Sequence, residues 1–212
     1  MTATVTLIRL MLVDDHTLVR VGLSSLIGLE PDMTVCAEAA TGEQAIELFR
    51  SARPDVTLMD LRLPDLSGTE AIRSIRAEFP DAKIVALSTF AGDEEIHLAL
   101  EAGALAYLVK TVQPEELVTA IRKVFEGQRH VSSDVAARLA LRSPRAHLSP
   151  RELAVLKHMV MGKRNKEIAT HLDITEGTVK IHVSNILMKL GVSDRTEAVT
   201  QALQRGIVAL AP

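Results

Sequence analysis

Over its first 130 residues the chain alternates short apolar runs with longer stretches in which apolar positions recur every three or four residues. The runs are Leu10–Val13, Thr34–Ala39, Val56–Met59, Lys83–Leu87 and Ala106–Val109. None alternates strictly between polar and apolar, so each predicts a strand covered on both faces, as parallel sheets require. The stretches between them predict helices, and several carry their own start and stop signals. Thr41 with Gln44, and Ser67 with Glu70, fit the Ser/Thr-x-x-Glu/Gln capping pattern. Pro114 suits the first turn of a helix running to about Phe125, and Gly103 stands where a helix from near Asp93 should stop. Five strands alternating with five helices predict the α/β class, a doubly wound five-stranded parallel sheet.

Beyond Gly127 the pattern changes. Ser132 or Ser133 could cap a short helix, Asp134 to Leu141, ahead of a polar stretch containing Pro144. After His147 only helical spacing remains. Ser149, Pro150 and Glu152 make a capping box that opens a helix to about Met161, and Asn165 can cap a second, Lys166–Leu172. The turn Asp173-Ile174-Thr175 leads to a third, taken from Thr178 to Leu190, which Gly191 ends. A fourth runs from about Arg195 to Arg205. The expected organisation is a first domain over 7–128, a linker with a short helix over 129–147, and a smaller all-α domain over 148–212.

Composition narrows the function classes. Apolar residues are 47% of the chain and charged residues 24%, which is globular, but aromatics are only 2%. Stacking rings for an organic ligand or for RNA bases are therefore scarce. There is no apolar run of about 18 residues, so no membrane span is expected. The apolar N-terminus meets Asp14 and Asp15 where a cleavage site would be needed, so it reads as a buried strand rather than a signal peptide. A single cysteine, Cys36, within the apolar stretch MTVCAEA, reads as core filler and fits a reducing cytoplasm. The net charge of −3 hides an asymmetry: residues 1–130 hold 12 Lys/Arg against 20 Asp/Glu, and residues 148–212 hold nine against six. Only the rear half suits a polyanion.

Open α/β sheets place functional groups beyond the carboxyl ends of their strands. Asp14 and Asp15 follow the first predicted strand, Asp60 the third, Ser88 the fourth and Lys110 the fifth. Three clustered carboxylates repel one another and need a cation. Oxygen-only donors favour a hard ion, Mg2+, over zinc. A hard cation with a lysine and a hydroxyl is how proteins neutralise a phosphoryl group in transfer, and a carboxylate can be its acceptor. Asp60, at the end of a central strand, is the candidate acceptor. His16 beside the acidic pair reads as a solvated loop residue. A haloacid-dehalogenase-type phosphatase would need a second acid two positions beyond Asp60, where Arg62 stands, and a dinucleotide enzyme would need a glycine-rich turn in place of Asp14-Asp15-His16.

The stretches MLVDDH, VTLMDLRLPDLSG, IVALSTF and GALAYLVK resemble, in order and spacing, the receiver domain of response regulators, a CheY-like fold. The resemblance implies that Asp60 accepts phosphate from a sensor histidine kinase. It implies that Asp14 and Asp15 hold magnesium with Asp60 and the Arg62 backbone carbonyl. Ser88 and Lys110 would bind the phosphoryl oxygens, with Tyr107 following Ser88 in switching. Arg62 and Phe90 stand where family members vary phosphate lifetime, and their bulk is expected to hinder an attacking water. The chain then acts as a regulator, accepting a phosphoryl group, rather than as an enzyme.

On the helix from Thr178, Val179, Val183, Ile186, Leu187 and Leu190 form one stripe at 100° per residue. The opposite side carries Ile181, Ser184, Asn185 and Met188, flanked by Lys180 and Lys189. Exposed apolar groups gain nothing on an ordinary surface, but in a major groove they can meet thymine methyls while lysines meet phosphate or guanine. A short helix and a three-residue turn before it make a helix-turn-helix. LSPRELAVLKHMVMGKRNKEIATHL and ITEGTVKIHVSNILMKLGVSDRTEAV resemble the LuxR-type helix-turn-helix domain, and with the receiver they place the chain among NarL/FixJ-type regulators. That resemblance implies that Lys180, Ile181 and Ser184 meet base edges of double-stranded promoter DNA, while Thr178, His182, Asn185 and Lys189 meet its backbone. It implies that phosphorylation relieves contact between the domains and permits a homodimer. Ala198, Ala202 and Leu203 on the last helix suit a dimer contact or a core equally. The alternative is a constitutive DNA binder whose receiver is structural.

Overall fold

A computed structural model describes residues 7–89, 92–132, 135–137, 139 and 148–208. The chain separates into two compact units, one built chiefly from residues up to 139 and one from residues beyond it.

In the first unit the strands are β1 (Ile8–Val13), β2 (Met33–Ala39), β3 (Val56–Asp60), β4 (Ile84–Ser88), β5 (Ala106–Val109) and β6 (His130–Val131). They pair in the order β2-β1-β3-β4-β5-β6, every pair parallel. Between them lie α1 (Thr17–Ile27), α2 (Gly42–Ala52), α3 (Gly68–Glu78), α4 (Asp93–Glu101) and α5 (Pro114–Phe125). The two-residue period of each strand sorts its side chains to opposite faces. Leu10, Leu12, Leu58, Val85 and Leu108 join Ile27, Leu117, Ile121 and Val124 in one core. Met11, Val13, Met59, Ile84 and Tyr107 join Phe49, Ile72, Ile75 and Ile96 in the other. Both faces are dry, which explains the unbroken apolar runs in the sequence. Full burial of each such side chain contributes roughly 1.5–3 kcal/mol.

The sheet has six strands, not the expected five. His130–Val131 pairs with Ala106 and Tyr107, and Val135 and Leu139 pack with the core that holds Tyr107. A two-residue strand carries no periodicity, so the segment reads as connector in sequence. Of the short helix expected at Asp134–Leu141, residues 135–137 and 139 are helical, and the rest lies outside the described residues. Its cap is Ser132, whose hydroxyl accepts from the Val135 N–H at 3.4 Å. Cys36 is only half-buried, at the point where the β1–β2 register slips from Leu10↔Val35 to Met11↔Ala37. Burial pushes its thiol pKa up.

The second unit comprises α6 (Pro150–Val160), α7 (Asn165–Leu172), α8 (Glu176–Leu190) and α9 (Arg195–Gln204), packed around Val155, Leu156, Ile168, Val179, Ile186 and Ala198. Two starts differ from expectation. Arg164, not Asn165, is the N-cap of α7, and the Asn165 carboxamide oxygen instead accepts from Arg195 at 3.0 Å. Helix α8 begins two residues before Thr178, because the Thr175 hydroxyl accepts from the Thr178 N–H at 3.1 Å. Ala198 and Ala202 are fully buried within this unit, so core packing accounts for them. No helix among the described residues is long and apolar enough to cross a membrane.

Candidate functional site

The chain runs from β1 outward to β2 and returns to β3 on the other side of β1, so a crevice opens at the carboxyl ends of β1 and β3. Asp14 lies just past β1, and Asp60 is the last residue of β3. Their side chains are 1% and 2% exposed, and the Lys110 ammonium stands 2.6 Å from Asp14 Oδ2 and 2.8 Å from Asp60 Oδ2. Lys110 follows β5, and its N–H donates to the Ser88 carbonyl at 2.7 Å, so the β4–β5 ladder sets its place. Ser88 ends β4, and both Ser88 and Tyr107 are fully buried. Strand ends thus bring the sequence-expected Asp14, Asp60, Ser88 and Lys110 to one edge. Asp15 is more exposed, and its carboxylate lies 2.6 Å from the His16 ring.

Burial is the main cause raising the Asp60 pKa, against the hydrogen bond from Lys110 and one from the Arg62 N–H at 3.1 Å. For Lys110 burial alone would lower the pKa, but hydrogen bonds to Asp14 and Asp60 outweigh it and hold it above the usual lysine range. Arg62 thus meets Asp60 through its N–H; Phe90 lies outside the described residues.

Asp14, Asp15, His16 and Asp60 each offer a ligand atom, all within 4.8 Å of one another. Three carboxylates face one ammonium, so the cluster fits a hard divalent cation electrostatically. The His16 ring, turned to Asp14 and Asp15, is 69% exposed, as expected of a solvated loop residue, although it too offers a nitrogen to this group.

Two features of this edge are invisible to pattern reading. The Asp65 carboxylate accepts from the N–H groups of Gly42 and Glu43 at 2.9 and 3.0 Å, tying the β3–α3 loop to the start of α2. These backbone donors, outweighing desolvation, hold its carboxyl far below the ordinary range. Gly68, at the start of α3, lies against the Asp60 carbonyl: a Cβ there would overlap it and lie 2.7 Å from Leu61 Cα. Gly68→Ala is therefore expected to cost about 1–3 kcal/mol of stability, measured by urea unfolding, and to slow phosphate uptake by displacing Asp60.

In the second unit, α8 buries Val179, Ile186 and Leu190 and leaves Lys180, Ile181, Ser184 and Met188 exposed along one ridge. Ile181 and Met188 are 62% and 72% exposed. Thr178, His182 and Asn185 are only partly exposed. The Thr178 hydroxyl is 2.8 Å from that of Thr175, and His182 Nδ1 is buried without a hydrogen-bond partner among the described residues. Lys189, expected beside the ridge, has its ammonium 2.7 Å from Glu152, a residue buried to 4% exposure on α6. The Glu152 carboxylate also accepts from the Ser149 N–H at 2.7 Å.

A model of the response regulator receiver domain matches residues 10–122, and one of bacterial regulatory proteins of the luxR family matches residues 146–202. The chain is 40% identical to the transcriptional regulatory protein LiaR of Bacillus subtilis (strain 168), over 95% of this chain and all of that one. It is 39% identical to the response regulator protein VraR of Staphylococcus epidermidis, over 95% of this chain and 99% of that one. Among solved structures, response regulator ChrA of a heme-sensing two component system aligns with TM-score 0.58 and 36% identity, over 96% of this chain and all of that one.

Proposed function

Because the chain belongs to the NarL/FixJ family of two-component response regulators, DNA-binding regulators of transcription with a receiver and a LuxR-type domain, we propose that Asp60 takes a phosphoryl group from a sensor histidine kinase and that α8 reads promoter DNA. What carries this is the convergence of Asp14, Asp60, Ser88 and Lys110 at one sheet edge, three of them from different strand ends around a central carboxylate.

A carboxylate oxygen of Asp60 attacks phosphorus, the bond from phosphorus to the kinase imidazole breaks, and that nitrogen keeps the electron pair. Lys110, already hydrogen-bonded to Asp60, moves its bond to a phosphoryl oxygen, and the Ser88 hydroxyl takes another. Asp14, Asp15 and Asp60, with the Arg62 carbonyl, would hold Mg2+, which when bound offsets the charge gathering on the transferred group. The phosphorylated state draws Ser88 to the phosphoryl group and holds Tyr107 in the buried position it has here, favouring one of two receiver conformations. A homodimer on DNA is the active form, and the cytoplasm, where kinase output and promoter meet, its location.

Lys180, Ile181 and Ser184 face base edges, and Thr178, His182 and Asn185 flank the phosphates. Lys189 flanks the phosphates as well, and its ammonium also ties α8 to Glu152. The working boundaries are a receiver over 7–128, a linker over 129–147 whose first residues join the sheet as β6, and a DNA-binding domain over 148–212.

The test is an electrophoretic mobility shift on promoter DNA with and without acetyl phosphate or beryllofluoride. Tighter binding on activation is expected. Equal affinity in both conditions, with Asp60→Asn also unchanged, would leave a constitutive DNA binder. Lys180→Glu is expected to weaken binding by more than about tenfold and to flatten its salt dependence, since an exposed cation on the ridge becomes an anion facing phosphate.

A further inference from the structure

One cation at the acidic edge has no part in the chemistry above. Arg20, on α1, has a side chain only 16% exposed. Its guanidinium donates to the main-chain carbonyl of Asp14 at 2.6 Å, and its Nε lies 3.4 Å from the Glu38 carboxylate. Glu38 is in β2, one residue before Ala39, whose carbonyl accepts from the Asp14 N–H at 3.1 Å. The end of β2 therefore grips Asp14 at two points, directly through Ala39 and indirectly through Glu38 and Arg20. Asp14 needs such a grip. It is the first residue beyond β1: its N–H still bonds to Ala39, but its carbonyl lies past the strand, where the chain turns toward α1.

We propose that Arg20 is a positioning residue for phosphoryl transfer: by holding the Asp14 carbonyl it sets the turn that aims the Asp14 and Asp15 carboxylates at Asp60. This rests on the assignment of Asp14 and Asp15 as cation ligands. A cation beside a cation site would ordinarily weaken it, but the Glu38 carboxylate balances the Arg20 charge, so the pair supplies rigidity while the edge stays negative. Groups that orient metal ligands from behind commonly change metal affinity by about 10–100-fold when removed.

The experiment is a Mg2+ titration of the full chain followed by amide NMR shifts, with amide hydrogen exchange at Asp15 and His16 measured on the metal-free protein. For Arg20→Ala, Mg2+ affinity is expected to fall about tenfold or more, and exchange at the turn to accelerate before any metal is added. Phosphorylation by acetyl phosphate should fall at low Mg2+ and recover at saturating Mg2+. Arg20→Lys, able to reach one acceptor, should recover part of the affinity. Glu38→Gln, at a half-exposed position that tolerates change, should weaken Mg2+ binding several-fold while the fold stays intact, keeping the test open if Arg20→Ala unfolds. Arg50→Ala, which breaks the exposed pair with Glu78, should leave it unchanged. Wild-type Mg2+ affinity in folded Arg20→Ala or in Glu38→Gln overturns the proposal. If Mg2+ shifts no amides around residues 14, 15 and 60 in the unaltered protein, the cation-site assignment itself fails, and the proposal with it.

Discussion

Asp60→Asn will abolish covalent phosphate uptake from acetyl phosphate or a histidine kinase, seen as loss of the phosphoryl mass increment in the intact protein. The amide keeps the shape of the carboxylate but supplies no nucleophilic oxygen, and no other carboxylate occupies its place: Asp14 lies on the other side of Lys110, and Asp15 turns to His16. The loss cannot be ascribed to unfolding. Burial raises the Asp60 pKa, so the metal-free fold is already penalised for its charge. A raised carboxyl pKa adds stability below the unfolded value of about 3.9 and loses it as pH rises through the folded value. At neutral pH the metal-free Asn variant is therefore expected to be at least as stable as the parent, because it carries no charge to desolvate while Lys110 keeps Asp14. Thermal unfolding in EDTA checks this. A variant that still took up phosphate would move the acceptor to another residue.

The largest stability effect is expected at Glu152→Ala, about 3–5 kcal/mol by urea unfolding of the full chain. Two consequences coincide. The Lys189 ammonium, 22% exposed, loses the Glu152 carboxylate, and the Ser149 N–H loses its acceptor, which is half of the capping box of α6. Loss of a cap alone costs typically about 1 kcal/mol. Burial by itself would raise the Glu152 pKa, yet the hydrogen bonds from Lys189 and Ser149 hold it below the usual value. The stabilisation is then present above the unfolded value of about 4.3 and lost as pH falls through the folded one, so the gap between parent and variant should close in acid. DNA binding should weaken too, even at temperatures where the variant is folded, because the Glu152–Lys189 contact joins α6 to α8. Glu152→Ala paired with Lys189→Met should recover part of the loss, as removing both partners avoids a stranded charge.

The acidic edge was legible because each of its members follows a strand, and strands announce themselves by apolar runs. Asp14, Asp60, Ser88 and Lys110 need only their positions relative to β1, β3, β4 and β5 to be brought together. The exposed ridge of α8 was legible for a similar reason, since Ile181 and Met188 break the rule that apolar groups turn inward. Arg20, Gly68 and Asp65 were not. Each acts through a main-chain atom of a distant residue, and any residue type presents the same carbonyl or N–H. The contact of Lys189 with Glu152 was not legible either, because only the packing of α6 against α8 puts Glu152, 37 residues earlier, under it.

By itself the sequence determined the order and type of the elements, most of their caps, the carboxylates and lysine at strand ends, and the outward face of α8. These follow from side-chain type at a fixed local period, a short-range property written directly in the chain. Tertiary structure alone decided that the sheet gains β6, that Asp65 caps α2, that Gly68 must lie against Asp60, and that Arg20 and Glu152 brace groups far from them in sequence. Those outcomes depend on which surfaces meet once two dry cores close, and pairing across that distance leaves no periodic trace.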